Sequence, residues 1–190
     1  MQKIINTDIN LFLYLNSRHS PFWDEVMWWM SDKWIMLPLY AVILFFIIRN
    51  FRWQSAGIVV FILILVVLTD QTSVHLFKNI FERLRPCHNP EIADMVHQVN
   101  NKCGGKYGFV SSHATNSFGF AMFTTLLFRK WYFSAFILLW ALVVSYSRIY
   151  LGVHYPGDVR GGILLGSLLA CIMYIIMMHI KKKMPNFKFL

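Results

Sequence analysis

Charged residues are scarce in this chain. Asp, Glu, Lys and Arg make up 14% of its 190 residues and hydrophobic residues 57%, whereas a soluble domain carries about 25% charged residues. With a mean hydropathy of +0.50 and apolar runs broken only by short basic clusters, that deficit excludes an ordinary soluble globule and points to an integral membrane protein. Acids are scarcer still, nine against eighteen Lys and Arg, for a formal net charge of +9. The excess does not suit a nucleic-acid partner. The basic residues sit at the ends of apolar runs, as membrane topology and anionic headgroups require. The first ten residues, M-Q-K-I-I-N-T-D-I-N, lack a basic region followed by an unbroken apolar core, so no cleavable signal peptide is expected. There is no P-loop and no acidic metal cluster, so neither a metal ion nor another cofactor is demanded.

What is present is a series of apolar runs. Five read as membrane spans: about 35–48, 55–77, 109–128, 131–147 and 161–180. Basic clusters at Arg49/Arg52, Arg129/Lys130 and Lys181–Lys183 fall at alternate ends of these spans, and all become cytoplasmic if positive charge stays inside. The loops 78–108 and 149–158 then lie together on the opposite face. Residues 4–16 are too polar and short to span. Residues 21–34 hold four tryptophans, Trp23, Trp28, Trp29 and Trp34, the composition of an interfacial belt. The expected organisation is an all-α integral membrane bundle of five transmembrane helices. Residues 1–34 form an interfacial amphipathic segment, 35–183 the membrane domain with external loop 87–108, and 184–190 a cytoplasmic tail. If the N-terminal segment crosses instead, there are six spans.

Three stretches on the external face carry chemistry. In S-R-I-Y-L-G-V-H-Y-P-G-D, Arg148 offers a planar fork for phosphate oxygens, and His154 can act as a nucleophile or proton carrier. Asp158, four residues on, reaches back to that imidazole if the segment turns helically. In K-N-I-F-E-R-L-R-P, Lys78 and Arg85 are seven residues apart, so a continuous helix would set both on one face, leaving Arg83 solvated. In V-S-S-H, Ser111 and Ser112 open a span with small residues whose hydroxyls and backbone N–H groups can hold phosphate oxygens, and His113 stands one turn inside. Convergent ionisable groups at membrane depth are functional by default.

Cys87 and Cys103 lie in the same external loop with fifteen residues between them. They read either as a disulfide or as two free thiols. The external face favours an oxidised pair, worth about 3 kcal/mol in the chain-entropy model. His88 and His97 lie nearby, but the spacings match no zinc template, so no metal site is expected. Cys171 reads as a small buried residue of the last span.

The order K-x6-R-P, S-x-H, S-R-x5-H-x3-D resembles the three signature motifs of the type 2 phosphatidic acid phosphatase superfamily, carried here by Lys78, Arg85, Pro86, Ser111, His113, Ser147, Arg148, His154 and Asp158. One departure is visible: Val110 and Ser112 stand where the family's P-S-G-H has proline and glycine. The resemblance covers about residues 55–180. It implies a helical bundle with its site at the external mouth and metal-free hydrolysis through a phosphohistidine. In that scheme His154 is the nucleophile, Asp158 its orienting carboxylate and His113 the proton donor, while Lys78, Arg85, Arg148, Ser111 and Ser112 hold the phosphate. The expected substrate is a lipid phosphate in a bacterial inner membrane, with the site facing the periplasm. The loop 87–108, carrying Glu91, Asp94, Lys102 and Lys106, favours a large polar headgroup such as lipid A. Undecaprenyl diphosphate and phosphatidylglycerol phosphate are the alternatives, and a non-catalytic lipid-binding or transport protein is the competing class. The oligomeric state is not specified by the sequence.

Overall fold

The computed structural model describes residues 2–183. Among these residues all regular elements are helical, apart from one antiparallel bridge between Leu84 and Tyr107. In chain order the helices are α1 (Gln2–Asn16), α2 (Pro21–Ser31), α3 (Leu37–Phe51), α4 (Ser55–Gln71), α5 (Asn79–Phe81), α6 (Ser112–Phe128), α7 (Trp131–Tyr150) and α8 (Pro156–Lys183). Pro21 follows an extended Ser20 whose hydroxyl accepts from Trp23 N, so α2 starts where a pre-set φ and a capping side chain coincide.

The five apolar runs become α3, α4, α6, α7 and α8. Length and hydropathy mark three helical stretches as candidate membrane spans: Leu37–Phe81, Trp131–Tyr150 and Pro156–Lys183. The first runs through α3, α4 and α5 and bends at Arg52, where φ is 48°. The run expected at 109–128 forms a helix only from Ser112, 17 residues long and lined with Thr115, Asn116 and Ser117. It is the most enclosed helix, with Phe118, Ala121 and Phe123 packed against Ile43, Leu65, Trp140, Ala141 and Met173. It crosses α8 so closely that a Cβ at Gly166 would collide with the Thr115 carbonyl. Small residues that admit such an approach are the usual basis of helix association in lipid, where burial alone drives little.

The N-terminal helices are two-faced. Ile4, Leu11, Tyr14, Phe22, Trp23, Trp29 and Trp34 are exposed, whereas Phe12 and Asn16 are buried. Asn16 Nδ2 donates to the Tyr150 carbonyl (2.8 Å) and the His97 carbonyl (3.1 Å), and its Oδ1 accepts from His97 N (2.8 Å). Trp28 turns inward instead of joining an exposed belt and packs in a cluster with Val99 and Tyr150. Cys171, expected to be buried, is only half-buried. At the far end of the bundle Arg129 donates to Tyr174 and Lys181 to Gln54, gathering the basic helix ends away from the external loops. The tail expected at 184–190 lies outside the described residues.

Candidate active site

The helix ends assemble the site. α7 runs three residues beyond the expected boundary, so Arg148 lies in its last turn and not in a loop. The chain then turns through Leu151–Tyr155, and α8 starts at Pro156 with Asp158 in its first turn. His154 precedes this helix, and the Asp158 side chain reaches back to it from the first turn: His154 Nδ1 stands 3.4 Å from Asp158 Oδ2, and both residues are almost fully buried. That separation exceeds an ordinary N–H···O bond, and the Gly108 backbone also bonds to the ring. A Cβ at Gly108 would come within 2.9 Å of Asp158 Oδ2, so glycine is what admits the 108 backbone here. With Nδ1 occupied on this side, Nε2 is the nitrogen left for chemistry.

The electrostatics reinforce that assignment. Burial holds the His154 ring well below the usual histidine range, and Arg85, Arg148 and Lys78 push it further down. The ring is therefore neutral at pH 7, as an attacking nitrogen must be. Burial also lowers Arg85, with Asp158 opposing. An arginine remains charged under either influence.

The cations reach the site along paths the sequence did not reveal. Lys78 and Arg85 do not share a helical face. After α5 the chain enters the left-handed region at Glu82 (φ 45°), and Arg85 is extended. Its backbone is held by the short pairing with residues 106–108, through Arg85 N to Lys106 O (3.1 Å) and Gly108 N to Arg83 O (2.8 Å). Its side chain donates to Cys103 O (2.9 Å) and Tyr107 O (3.2 Å). Lys78 closes a π-helical turn, Thr72–Lys78. Such turns are frequent at functional sites, and here Lys78 Nζ donates to Ser112 Oγ (2.7 Å) while Ser73 Oγ meets the same oxygen (2.7 Å). The serine in place of the family glycine thus anchors the lysine. Val110, in place of the family proline, is buried against Gly161.

Arg83 was expected to be solvated. It instead forms ion pairs with Asp158 Oδ1 (2.8 Å) and Asp8 Oδ2 (2.7 Å), with its guanidinium 4.1 Å from the centre of the Tyr155 ring. Burial alone would lower this arginine, but the two carboxylates outweigh it and hold it above its usual range. Neither Asp8 nor Arg83 belongs to a motif read from the sequence. The visible signal was a lone acid in an otherwise uncharged part of α1.

A cavity of 330 Å³ opens over these groups, lined among others by His113, Arg85, Arg148, Lys102, Lys33 and Trp28. His113 is exposed to it. Arg148 Nη1 donates to Ser31 Oγ on α2, whereas Arg148 Nε and Ser111 Oγ are buried with no hydrogen-bond partner. Orphaned buried polar atoms are costly, and Arg148 lines the cavity, where an anion can reach it. Ser111 N is already committed to the Asp158 carbonyl (3.1 Å), so it is the hydroxyl that remains available. Cys87 and Cys103 face each other with Cα atoms 6.0 Å apart, the spacing of a bridged pair. His88 lies beside them, but His97 is directed elsewhere, pairing with Asp24 (3.0 Å) and stacking on His19.

Comparison with known proteins identifies the family. The family model described as the PAP2 superfamily matches residues 55–182. The chain is similar to the lipid A 4'-phosphatase of Bacteroides thetaiotaomicron, with 45% identity over 172 residues that cover 89% of this chain and 76% of the relative. It is also similar to the lipid A 4'-phosphatase of Porphyromonas gingivalis, with 36% identity over 186 residues, covering 96% and 78%. Among solved structures, the PAP2-type phosphatidylglycerolphosphate phosphatase from Bacillus subtilis superposes with a TM-score of 0.72 at 25% identity, covering 95% of this chain and 89% of that one.

Proposed function

The chain belongs to the PAP2 superfamily, and from that premise we propose that it hydrolyses the phosphate of a lipid A-type glycolipid through a phosphohistidine on His154. The observation that carries the mechanism is the buried His154–Asp158 pair, with a neutral ring among Arg85, Arg148 and Lys78. In the first step Nε2 attacks phosphorus, the P–O bond to the lipid breaks, and His113 gives its proton to the departing oxygen. In the second step His113 takes a proton from water, the water oxygen bonds to phosphorus, and the P–N bond breaks to release phosphate. Asp158 holds Nδ1–H throughout and stabilises the positive charge that develops on the ring. Lys78, Arg85, Arg148 and the two serines neutralise the oxygens in transit, where most of the barrier reduction arises.

Two features favour the lipid A reading. Relatives at 45% and 36% identity over most of the chain are lipid A 4'-phosphatases. The loop 87–108 supplies Lys102 to the cavity, and Lys33 stands there too, giving a rim of cations beyond the phosphate-binding set. A headgroup with several anionic and hydroxyl groups suits that rim. The phosphatase relatives weigh against a lipid-binding or transport role without turnover.

In the same reading α3, α4, α6, α7 and α8 each cross the membrane, and α1 and α2 lie along its surface. The gathered basic ends are cytoplasmic, and the cavity opens toward the periplasm of a bacterial inner membrane. Phosphate release by the purified protein from a panel of bisphosphorylated lipid A, undecaprenyl diphosphate, phosphatidylglycerol phosphate and phosphatidic acid tests the substrate. We expect the largest kcat/KM for lipid A. A preference for a prenyl diphosphate overturns that choice and leaves the mechanism intact.

A further inference from the structure

We propose that Asp8, on the N-terminal helix and outside every signature motif, is a positioning residue for the nucleophile, acting through Arg83 and Asp158. The proposal rests on the phosphohistidine reading above. Asp158 has two oxygens and three claims on them. Oδ2 accepts from Tyr155 N (3.1 Å) and faces His154 Nδ1, and Oδ1 accepts from Arg83 Nη1 (2.8 Å). The orientation of this carboxylate, and with it that of the imidazole, therefore depends on where Arg83 is held.

Arg83 is a long side chain reaching in from an extended segment, and one carboxylate alone would leave its fork free to rotate. Asp8 fixes the other end of the fork, because Nη2 donates to Asp8 Oδ2 (2.7 Å) while the guanidinium lies on the Tyr155 ring. The second oxygen of Asp8 accepts from Gly157 N (2.8 Å), in the first turn of α8 beside Asp158 itself. A Cβ at Gly157 would lie 2.6 Å from Asp8 Oδ2, so the absence of a side chain there is what lets the α1 carboxylate approach. Phe12, one turn further along α1, is fully buried with its ring 5.4 Å from that of Tyr155, which sets the helix at this depth. One carboxylate thus ties α1 both to the helix start that carries Asp158 and to the arginine that orients it. Asp8 touches neither the cavity nor the phosphate-binding cations.

Substituting Asp8→Asn preserves shape and an acceptor for Gly157 N–H but removes the ion pair with Arg83. We expect turnover of a short-chain, water-soluble phosphate ester to fall about 10- to 100-fold, the scale of a slight misplacement of reacting groups. Inhibition by inorganic phosphate should keep its wild-type constant, because Lys78, Arg85, Arg148 and Ser111 are untouched. A role in the fold alone would weaken both together. Arg83→Gln, which breaks the chain of contacts at its middle, should show the same split, and the double variant should lose no more than Arg83→Gln alone, the signature of groups acting in series. Wild-type turnover by Asp8→Asn, parallel loss of phosphate affinity, or multiplicative losses in the double variant each overturns the proposal. His154→Ala, assayed alongside, tests the phosphohistidine reading separately. If it keeps its activity, that reading falls, while the cycle of Asp8 and Arg83 still reports whether the two act in series.

Discussion

One wall of the site is built by the facing ends of α6, α7 and α8, which bring His113, Arg148, His154 and Asp158 together. The other is built by residues 83–108 and the N-terminal helices, which bring Arg83, Arg85, Lys102 and Asp8. The first wall holds its groups by helix geometry over short stretches of sequence, such as the four-residue return from Asp158 to His154. The second holds its groups through backbone carbonyls and long-range ion pairs: Arg85 on Cys103 O and Tyr107 O, Arg83 on Asp8. The difference separates chemistry from positioning. Groups proposed to meet the phosphate come mostly from the wall that helix ends make rigid. Groups that aim them come from segments hundreds of atoms away along the chain.

His154 on the first wall carries the largest effect. His154→Ala should remove nearly all turnover, about 10⁴-fold or more in kcat, the scale reached when a nucleophile is removed from a coupled set. Steady-state phosphate release checks this, and near-normal release would move the nucleophile out of the helix-end wall altogether. His113→Ala on the same wall should cost about 10²- to 10⁴-fold on an alkyl phosphate. The loss should be clearly smaller on a nitrophenyl phosphate, whose leaving oxygen needs little protonation. Equal losses on the two esters would contradict a proton-donor role.

The second wall should respond more mildly. Cys103 carries the carbonyl that accepts from Arg85 Nη1, and Cys87 lies two residues after Arg85. An oxidised pair closes that segment around the arginine. Cys87→Ser with Cys103→Ser is expected to lower kcat/KM about tenfold, mainly through weaker binding of the phosphate, since one charge-assisted hydrogen bond contributes about 1.5–3 kcal/mol. Unchanged kinetics would show that the pairing of 83–85 with 106–108 holds Arg85 by itself. Mass spectrometry of protein from its native membrane, alkylated without reductant, reads the state of the pair directly.

How far the sequence carried is explained by the same division. The helical class, the membrane setting and the approach of His154 to Asp158 were legible because each follows from local spacing or hydropathy. The role of Ser112 was visible only as a departure from a motif. Its contact with Lys78 depends on a π-helical turn, which no apolar period announces. Arg83 was misjudged because a basic residue beside a motif arginine carries no local sign of its partner, and that partner lies 75 residues away on α1. The span count was less legible for a related reason. The stretch ending at Phe128 is apolar on average, but its first turns are polar and enclosed by the other helices. Hydropathy does not distinguish a helix surrounded by protein from one surrounded by lipid.

The mildest consequence is electrostatic and lies in how the second wall acts on the first. Burial comes first in holding His154 below the usual histidine range, and Arg85, supplied by the second wall, comes next. A histidine in water is half protonated near pH 6.5. In the folded protein the His154 ring should therefore stay neutral on lowering the pH from 8 to 6.5, and ¹⁵N chemical shifts of histidine-labelled protein in detergent should show no protonation of this ring over that range. The sign for stability follows from the same displacement. Below pH 6.5 the unfolded chain binds a proton that the folded ring refuses, so His154 contributes stability that is fully present above pH 6.5 and is lost as the pH falls toward the folded value. Arg85→Ala removes a nearby cation and opens the ring to water, and both changes favour the protonated form. The titration of His154 should then move up toward 6.5, carrying the acid loss of stability with it. A ring that titrates near 6.5 in the wild type, or one that does not respond to Arg85→Ala, would mean that the segment 83–108 binds phosphate without tuning the residue proposed to attack it.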